Sequence, residues 1–217
     1  MISARVGPGG STLLVAPVRG LTSEAALLAQ ALDAFRPDTV GLGTSAEEFE
    51  GLDTYFVRSG AEPIVPLSPA ESSEVRGLVR FGEVSVPNPS FVRAIDWAQG
   101  QGIRAEPLDP SDDRSASLFA EHIGYLELVR RTVRERGVGR HPPAPSTPDQ
   151  FALEWDREVS GGRGSRAFAR ARDRHLVREA RRLASDGGRV AVVVDRERFD
   201  EVRELFDREP PSTTESD

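Results

Sequence analysis

Three short apolar runs limit what this chain can fold into. Residues 12–18 (Thr-Leu-Leu-Val-Ala-Pro-Val), 39–42 (Thr-Val-Gly-Leu) and 189–194 (Arg-Val-Ala-Val-Val-Val) are continuously apolar rather than alternating, which is the pattern of strands covered on both faces. Between the first two lies a helix-spaced set, Leu28, Ala31, Leu32 and Phe35, with Thr22 or Ser23 available as cap and Pro37-Asp38 as stop. Strand, helix and strand in that order predict a β-α-β unit whose two strands pair in parallel across a right-handed crossover.

The rest of the chain extends this alternation. Residues 2–6 are β-rich and Gly7-Pro-Gly-Gly10 reads as the turn of a hairpin with the first apolar run. A short helix is expected near 46–52 and a strand at 63–67. Asn88-Pro89 is a helix start, because asparagine caps free amides and proline suits the first turn. That helix runs through Phe91, Ile95 and Ala98 to Gly100 or Gly102, and residues 103–108 return as a strand ending in Asp109-Pro-Ser-Asp112-Asp113. One long helix is predicted from 115 to 136, with Leu118, His122, Tyr125, Val129 and Val133 as its stripe. A proline-rich connection follows at 137–148, then helices at 149–160 and 165–185 separated by Gly161-Gly-Arg-Gly164, the last strand at 189–194 and a helix at 196–207. The predicted class is α/β: a mostly parallel sheet with helices on both faces, an N-terminal hairpin and a helical insertion before the last strand. The 217 residues suffice for one domain over 1–208, with 209–217 as a disordered polar tail.

All 28 basic residues are arginine, against 35 acidic ones and a net charge of −7. A GC-rich genome and a salt-rich cytoplasm both favour this usage, and a halophilic, haloarchaeal source is the expectation. The acidic balance argues against general nucleic-acid binding. Cysteine is absent, as suits a reducing cytoplasm. With no apolar signal core at the N-terminus and no run of ~18 apolar residues, a soluble cytoplasmic protein without a membrane span is expected.

In a parallel sheet, ligands bind beyond the carboxyl ends of the strands. Four such ends are readable: Pro17-Val18-Arg19-Gly20, Gly43-Thr44-Ser45, Asp109 to Asp113, and Asp195-Arg-Glu-Arg198. Arg19, Asp109, Arg196 and Arg198 are expected to approach one another there. Ala16-Pro-Val-Arg19, followed by Pro37-Asp38-Thr-Val40-Gly-Leu-Gly43-Thr44, Leu108-Asp109, Arg172-Asp173 and Asp195-Arg-Glu-Arg198, resembles in order and spacing the TraB/PrgY superfamily, which includes the GumN and Tiki groups. That family carries Gly-x-x-His where this chain has Arg19 and again where it has Arg198, and a glutamate where it has Gly43. The resemblance implies a TraB-like α/β fold. Its proposed metallohydrolase chemistry does not carry over, because guanidinium stays protonated and offers no lone pair to a metal.

The expected role is therefore non-catalytic: binding an anionic small ligand or a protein partner, with homo-oligomerisation left open and no cofactor or metal. Arg19, Asp109, Arg172, Asp173, Arg196 and Arg198 are the candidate ligand-binding residues, since the planar guanidinium fork suits carboxylate and phosphate. Each has a plainer reading, in which the arginines only neutralise Asp109 or Asp173. A divergent metal-dependent hydrolase built on Asp109, Asp173 and His122 is the alternative. Asp109, Asp112 and Asp113 otherwise read as a turn and helix cap, and His122, His141 and His175 are too scattered for a zinc motif. Gly161 to Gly164 lacks the flanking strand and lysine of a phosphate loop and reads as a helix connection. Arg166, Arg170, Arg174, Arg178 and Arg182 recur at i, i+4; a solvated face is the simpler reading, and docking of nucleic acid the third functional one. Trp97 and Trp155 read as packing residues.

Overall fold

The structure, a computed structural model, describes residues 1–57, 69–140, 143–185 and 187–208; the strand expected at 63–67 and the tail at 209–217 lie outside them. The hairpin forms as β1 (Ile2–Val6) and β2 (Thr12–Ala16), antiparallel about a tight turn. Gly7, Gly9 and Gly10 all have positive φ there, a region glycine enters without steric cost. Helix α1 (Thr22–Phe35) follows, then β3 (Thr39–Leu42), α2 (Ala46–Val57), α3 (Pro69–Leu78), α4 (Pro89–Gln101) and β4 (Arg104–Pro107). The Asn88 side chain accepts from the Ser90 amide and Gly102 closes α4 in the left-handed conformation, so both sequence signals act as expected. The insertion comprises α5 (Asp112–His122), α6 (Tyr125–Arg140), α7 (Pro148–Ser160) and α8 (Arg163–Ser185), and β5 (Val190–Val193) leads through a short 3-10 turn into α9 (Phe199–Arg208).

The sheet order is β1-β2-β5-β3-β4, with only β1 antiparallel. The structure corrects the first expectation here: β2 and β3 are parallel but not neighbours, because β5 lies between them. Val190 to Val193 are at most 1% exposed, and so apolar a strand gains most from partners on both sides and cover on both faces. One face packs Leu13, Val15, Val40 and Val193 against α1, α2 and α4; the other packs Leu14, Val190 and Val192 against α8 and α9.

This order positions the site. The chain leaves β2 and β3 toward the α1/α4 face but leaves β5 toward the α8/α9 face, so crevices open on either side of the β5 end. The second correction concerns the long helix expected at 115–136. It is two helices, with Ile123 and Gly124 between α5 and α6, and its expected stripe is split. Leu118 is buried, whereas Tyr125, Val129 and Val133 face solvent.

Candidate functional site

The turn after β5 carries the chemistry. Arg198 donates from Nε to Asp173 at 2.8 Å, from Nη1 to Asp109 at 2.9 Å and to the Gly43 carbonyl at 3.1 Å, and from Nη2 to Asp109 at 2.7 Å. Arg172 adds a bond to Asp109 Oδ2. The Asp109 and Asp173 side chains are 1% and 4% exposed, so this is a buried network that joins the ends of β3, β4 and β5 to α8. Burial pushes the Asp109 carboxyl up, but Arg198 and Arg172 outweigh it and hold it below the ordinary value. At Asp173 burial wins over Arg198, and Asp109 adds repulsion, so that carboxyl sits above its ordinary value. Arg198 is itself raised: burial alone would lower it, and the two aspartates overcome that.

Arg19 and Arg196 do not join this network. Arg19 donates through Nη2 and Nε to Asp195 Oδ2 at 2.6 and 3.2 Å, while Asn88 donates to Asp195 Oδ1 at 3.1 Å. Arg196, 5% exposed, forks onto Asp149 of α7 and fastens the insertion to the sheet. Of the six residues singled out in the sequence, four thus meet in one cluster, while Arg19 and Arg196 make separate pairs on either side of it. His122 ends α5, and no group of three histidine, aspartate or glutamate residues placed to hold a metal occurs among the described residues. Both Asp109 oxygens accept from guanidinium, which leaves them ill placed for a cation.

Glu197 was not singled out by its sequence context. It stands half-buried beside Asp195, and burial, then Asp195, push its carboxyl up to about 8 against the pull of Arg19; Glu74 adds to the rise. At pH 7 it is therefore mainly neutral. The available signal was the pairing of two acids, Asp195 and Glu197, in a turn that closes a buried strand.

Two clefts flank the network. One, about 270 Å³, is lined by Arg19, Glu48, Glu71, Glu74 and apolar groups including Val75, Leu78 and Val84; its carboxylates outnumber its one, already paired, arginine. The other, about 580 Å³, lies between α8 and the turn into α9, with Arg163, Arg166, Arg170 and Arg174 on one wall, Glu197, Arg198 and Glu201 opposite, and Asp156 and Asp173 also in its lining. Spacings of three and four residues put those four arginines on one helix face. Arg170 pairs with Glu201 at 2.8 Å. Arg163, Arg166 and Arg174 are exposed, and no described residue holds them in an ion pair. The arginine stripe is interrupted further on, where Arg182 meets Glu179 and Glu106.

The glycine-rich connection ahead of α8 is an anion cradle occupied from within. Glu127 of α6 accepts from the Gly164 amide at 2.9 Å and from the Ser165 amide and hydroxyl at 2.8 and 3.1 Å. Those backbone bonds hold the Glu127 carboxyl below its ordinary value. A Cβ at Gly162 would lie 2.0 Å from Glu127 Oε1, so the bare backbone is what admits the carboxylate.

Comparison of the chain with protein-family models, with curated proteins and with solved structures finds no match. No helix among the described residues is long and apolar enough to cross a membrane.

Proposed function

We propose that this chain is a non-catalytic domain of TraB-like lineage that binds a small anionic ligand, bearing phosphate or carboxylate, in the cleft between α8 and the turn that follows β5. The observation that carries the reading is the unequal treatment of arginine at this edge. Arg172, Arg196 and Arg198 are neutralised by carboxylates, while Arg163, Arg166 and Arg174 present unpaired guanidinium groups to a cleft of about 580 Å³. That volume suits a small molecule, and three forks on one helix face give bidentate donors for several oxygens. Glu197 on the facing wall, raised to about 8, carries less of the negative charge that would repel an anion than an ordinary carboxylate would, and Glu201 is already paired with Arg170.

Two further points support a binding role without catalysis. The positions resembling the family's histidines hold Arg19 and Arg198, neither of which can ligate a metal. The Arg198 guanidinium is also fully engaged, since every one of its nitrogens donates to protein. In this reading Asp173 and Arg198 form part of the cleft wall, Asp109 holds Arg198 and Arg172 holds Asp109 in place behind it, and the unpaired arginines of α8 make the contact.

A thermal-shift series with phosphate, pyrophosphate, citrate and succinate, against chloride at equal ionic strength, tests the reading. At least one polyvalent anion should raise Tm increasingly with concentration, the folded state gaining RT ln(1 + [L]/Kd) in stability, and Arg166→Ala with Arg174→Ala should abolish the shift. Equal shifts with chloride, or a shift retained in the double variant, contradict it.

A further inference from the structure

Helix α6 is amphipathic in the wrong sense for a helix resting on a folded body. Its inward face is polar: Glu127 caps α8, Arg131 lies near Asp156 and Arg134 near Glu127, with Val138 as a buried apolar contact to the α3/α7 cluster. Its outward face is apolar. Tyr125, Leu126, Leu128, Val129 and Val133 are 78%, 69%, 41%, 45% and 63% exposed. At 3.6 residues per turn, Tyr125, Val129 and Val133 stack along one line with Leu126 and Leu128 to either side. No other described helix leaves more than one large apolar side chain exposed, so the concentration belongs to this face alone.

We propose that this face is the interface of a homodimer, in which α6 packs antiparallel against α6 of a second copy about a two-fold axis near Val129. The size is compatible: at those exposures the five residues leave on the order of 500–600 Å² open per copy, the top of the range for a patch on a monomer, so two copies bury at most about 1,000–1,200 Å², the lower end of stable specific interfaces. A two-fold pairs the patch with itself, so an apolar stripe without a central charge is its own complement. The antiparallel sense brings Tyr125 against the partner's Val133 and aligns the helix dipoles favourably. A bilayer is the competing occupant, since α6 carries more arginine than glutamate beside the stripe, and the vesicle measurement below separates the two.

The chain has no cysteine, so one introduced thiol reports cleanly. Sedimentation equilibrium should give twice the 23.6 kDa of one copy. Val129→Asp with Val133→Asp should return the single-copy mass with an unchanged far-ultraviolet spectrum, since both side chains point away from the body. Val129→Cys should form a disulfide-linked dimer on mild oxidation, while Ala26→Cys, exposed on α1, should not. A single-copy mass at every concentration, or a dimer that the aspartate pair leaves intact, overturns the proposal. So does recovery of wild-type monomer on anionic or zwitterionic vesicles, which would assign the face to lipid.

Discussion

Gly43 supplies the space that Arg198 occupies: a Cβ at position 43 would lie 2.9 Å from Arg198 Nη1, the nitrogen that donates to the Gly43 carbonyl at 3.1 Å. Positions 43 and 198 are therefore coupled in space. Gly43→Ala should cost about 1–3 kcal/mol by crowding that guanidinium. In an Arg198→Ala background the same change should cost less, the remainder being the approach of that Cβ to Val194 Cγ1 at 3.1 Å and Leu176 Cδ1 at 3.3 Å. A double-mutant cycle from urea denaturation reads the difference.

Arg198 neutralises two buried carboxylates at once, so its removal leaves Asp173 unpaired and Asp109 with Arg172 alone. Arg198→Ala should destabilise by about 3–5 kcal/mol, the usual consequence of stranding a buried charge. Adding Asp109→Asn and Asp173→Asn to Arg198→Met should recover most of that, because the charges then leave together. Chemical denaturation of the two variants at neutral pH distinguishes a charge effect from lost packing, which the triple variant would not repair.

Glu197 gives stability a pH dependence of unusual sign for a carboxyl. Its folded value, about 8, lies above the ordinary 4.5, so the fold holds a proton the unfolded chain releases, and stability falls as pH rises between those values. The groups that set this are Asp195 and Glu74, which oppose its ionisation, and Arg19, which favours it. Glu197→Gln should flatten the decline of Tm from pH 5 to 8 and raise Tm at pH 8. An unchanged slope would place the proton elsewhere.

Glu127 acts in the opposite direction. Its depressed carboxyl stabilises the fold above the unfolded value and loses that contribution as pH falls through the folded one. Glu127→Gln should lower Tm at pH 7 and converge with the wild type in acid. Hydrogen exchange at the Gly164 and Ser165 amides should accelerate in the variant, since those amides lose a charged acceptor.

Much of this architecture is written locally. The apolar runs at 12–18, 39–42 and 189–194, the Asn88 cap and the Gly102 stop each mark their element through short-range chemistry, and the structure uses them so. Strand adjacency is not local: that β5 separates β2 from β3 depends on which strand best tolerates burial on all sides, a comparison across 150 residues of chain. The break between α5 and α6 had a visible mark in Gly124, but the helical spacing of Leu118, His122 and Tyr125 continues through it. The same spacing joins Val129 and Val133 to Leu118 in one stripe, because periodicity finds a face without saying what it faces.

The site was legible as a place more than as a set of pairs. Arg198, Asp109, Arg172 and Asp173 meet as their positions at strand ends and on α8 suggested, whereas Arg19 found Asp195 and Arg196 found Asp149. Choice among several carboxylates within reach is settled by side-chain geometry. The arginine stripe of α8 reads in sequence as a uniform solvated face; only the fold shows that Glu201 and Glu106 take Arg170 and Arg182 and leave Arg163, Arg166 and Arg174 open.

Isothermal titration of pyrophosphate into the wild type, Arg166→Ala/Arg174→Ala and Arg19→Ala proteins at pH 7 and pH 9, in low-chloride buffer, tests the anion cleft most directly. The account predicts one site per chain, lost in the α8 double variant, kept in Arg19→Ala, and weaker at pH 9, where Glu197 ionises against the ligand. Absence of saturable heat with the wild type, or an affinity indifferent to the α8 arginines, would contradict it.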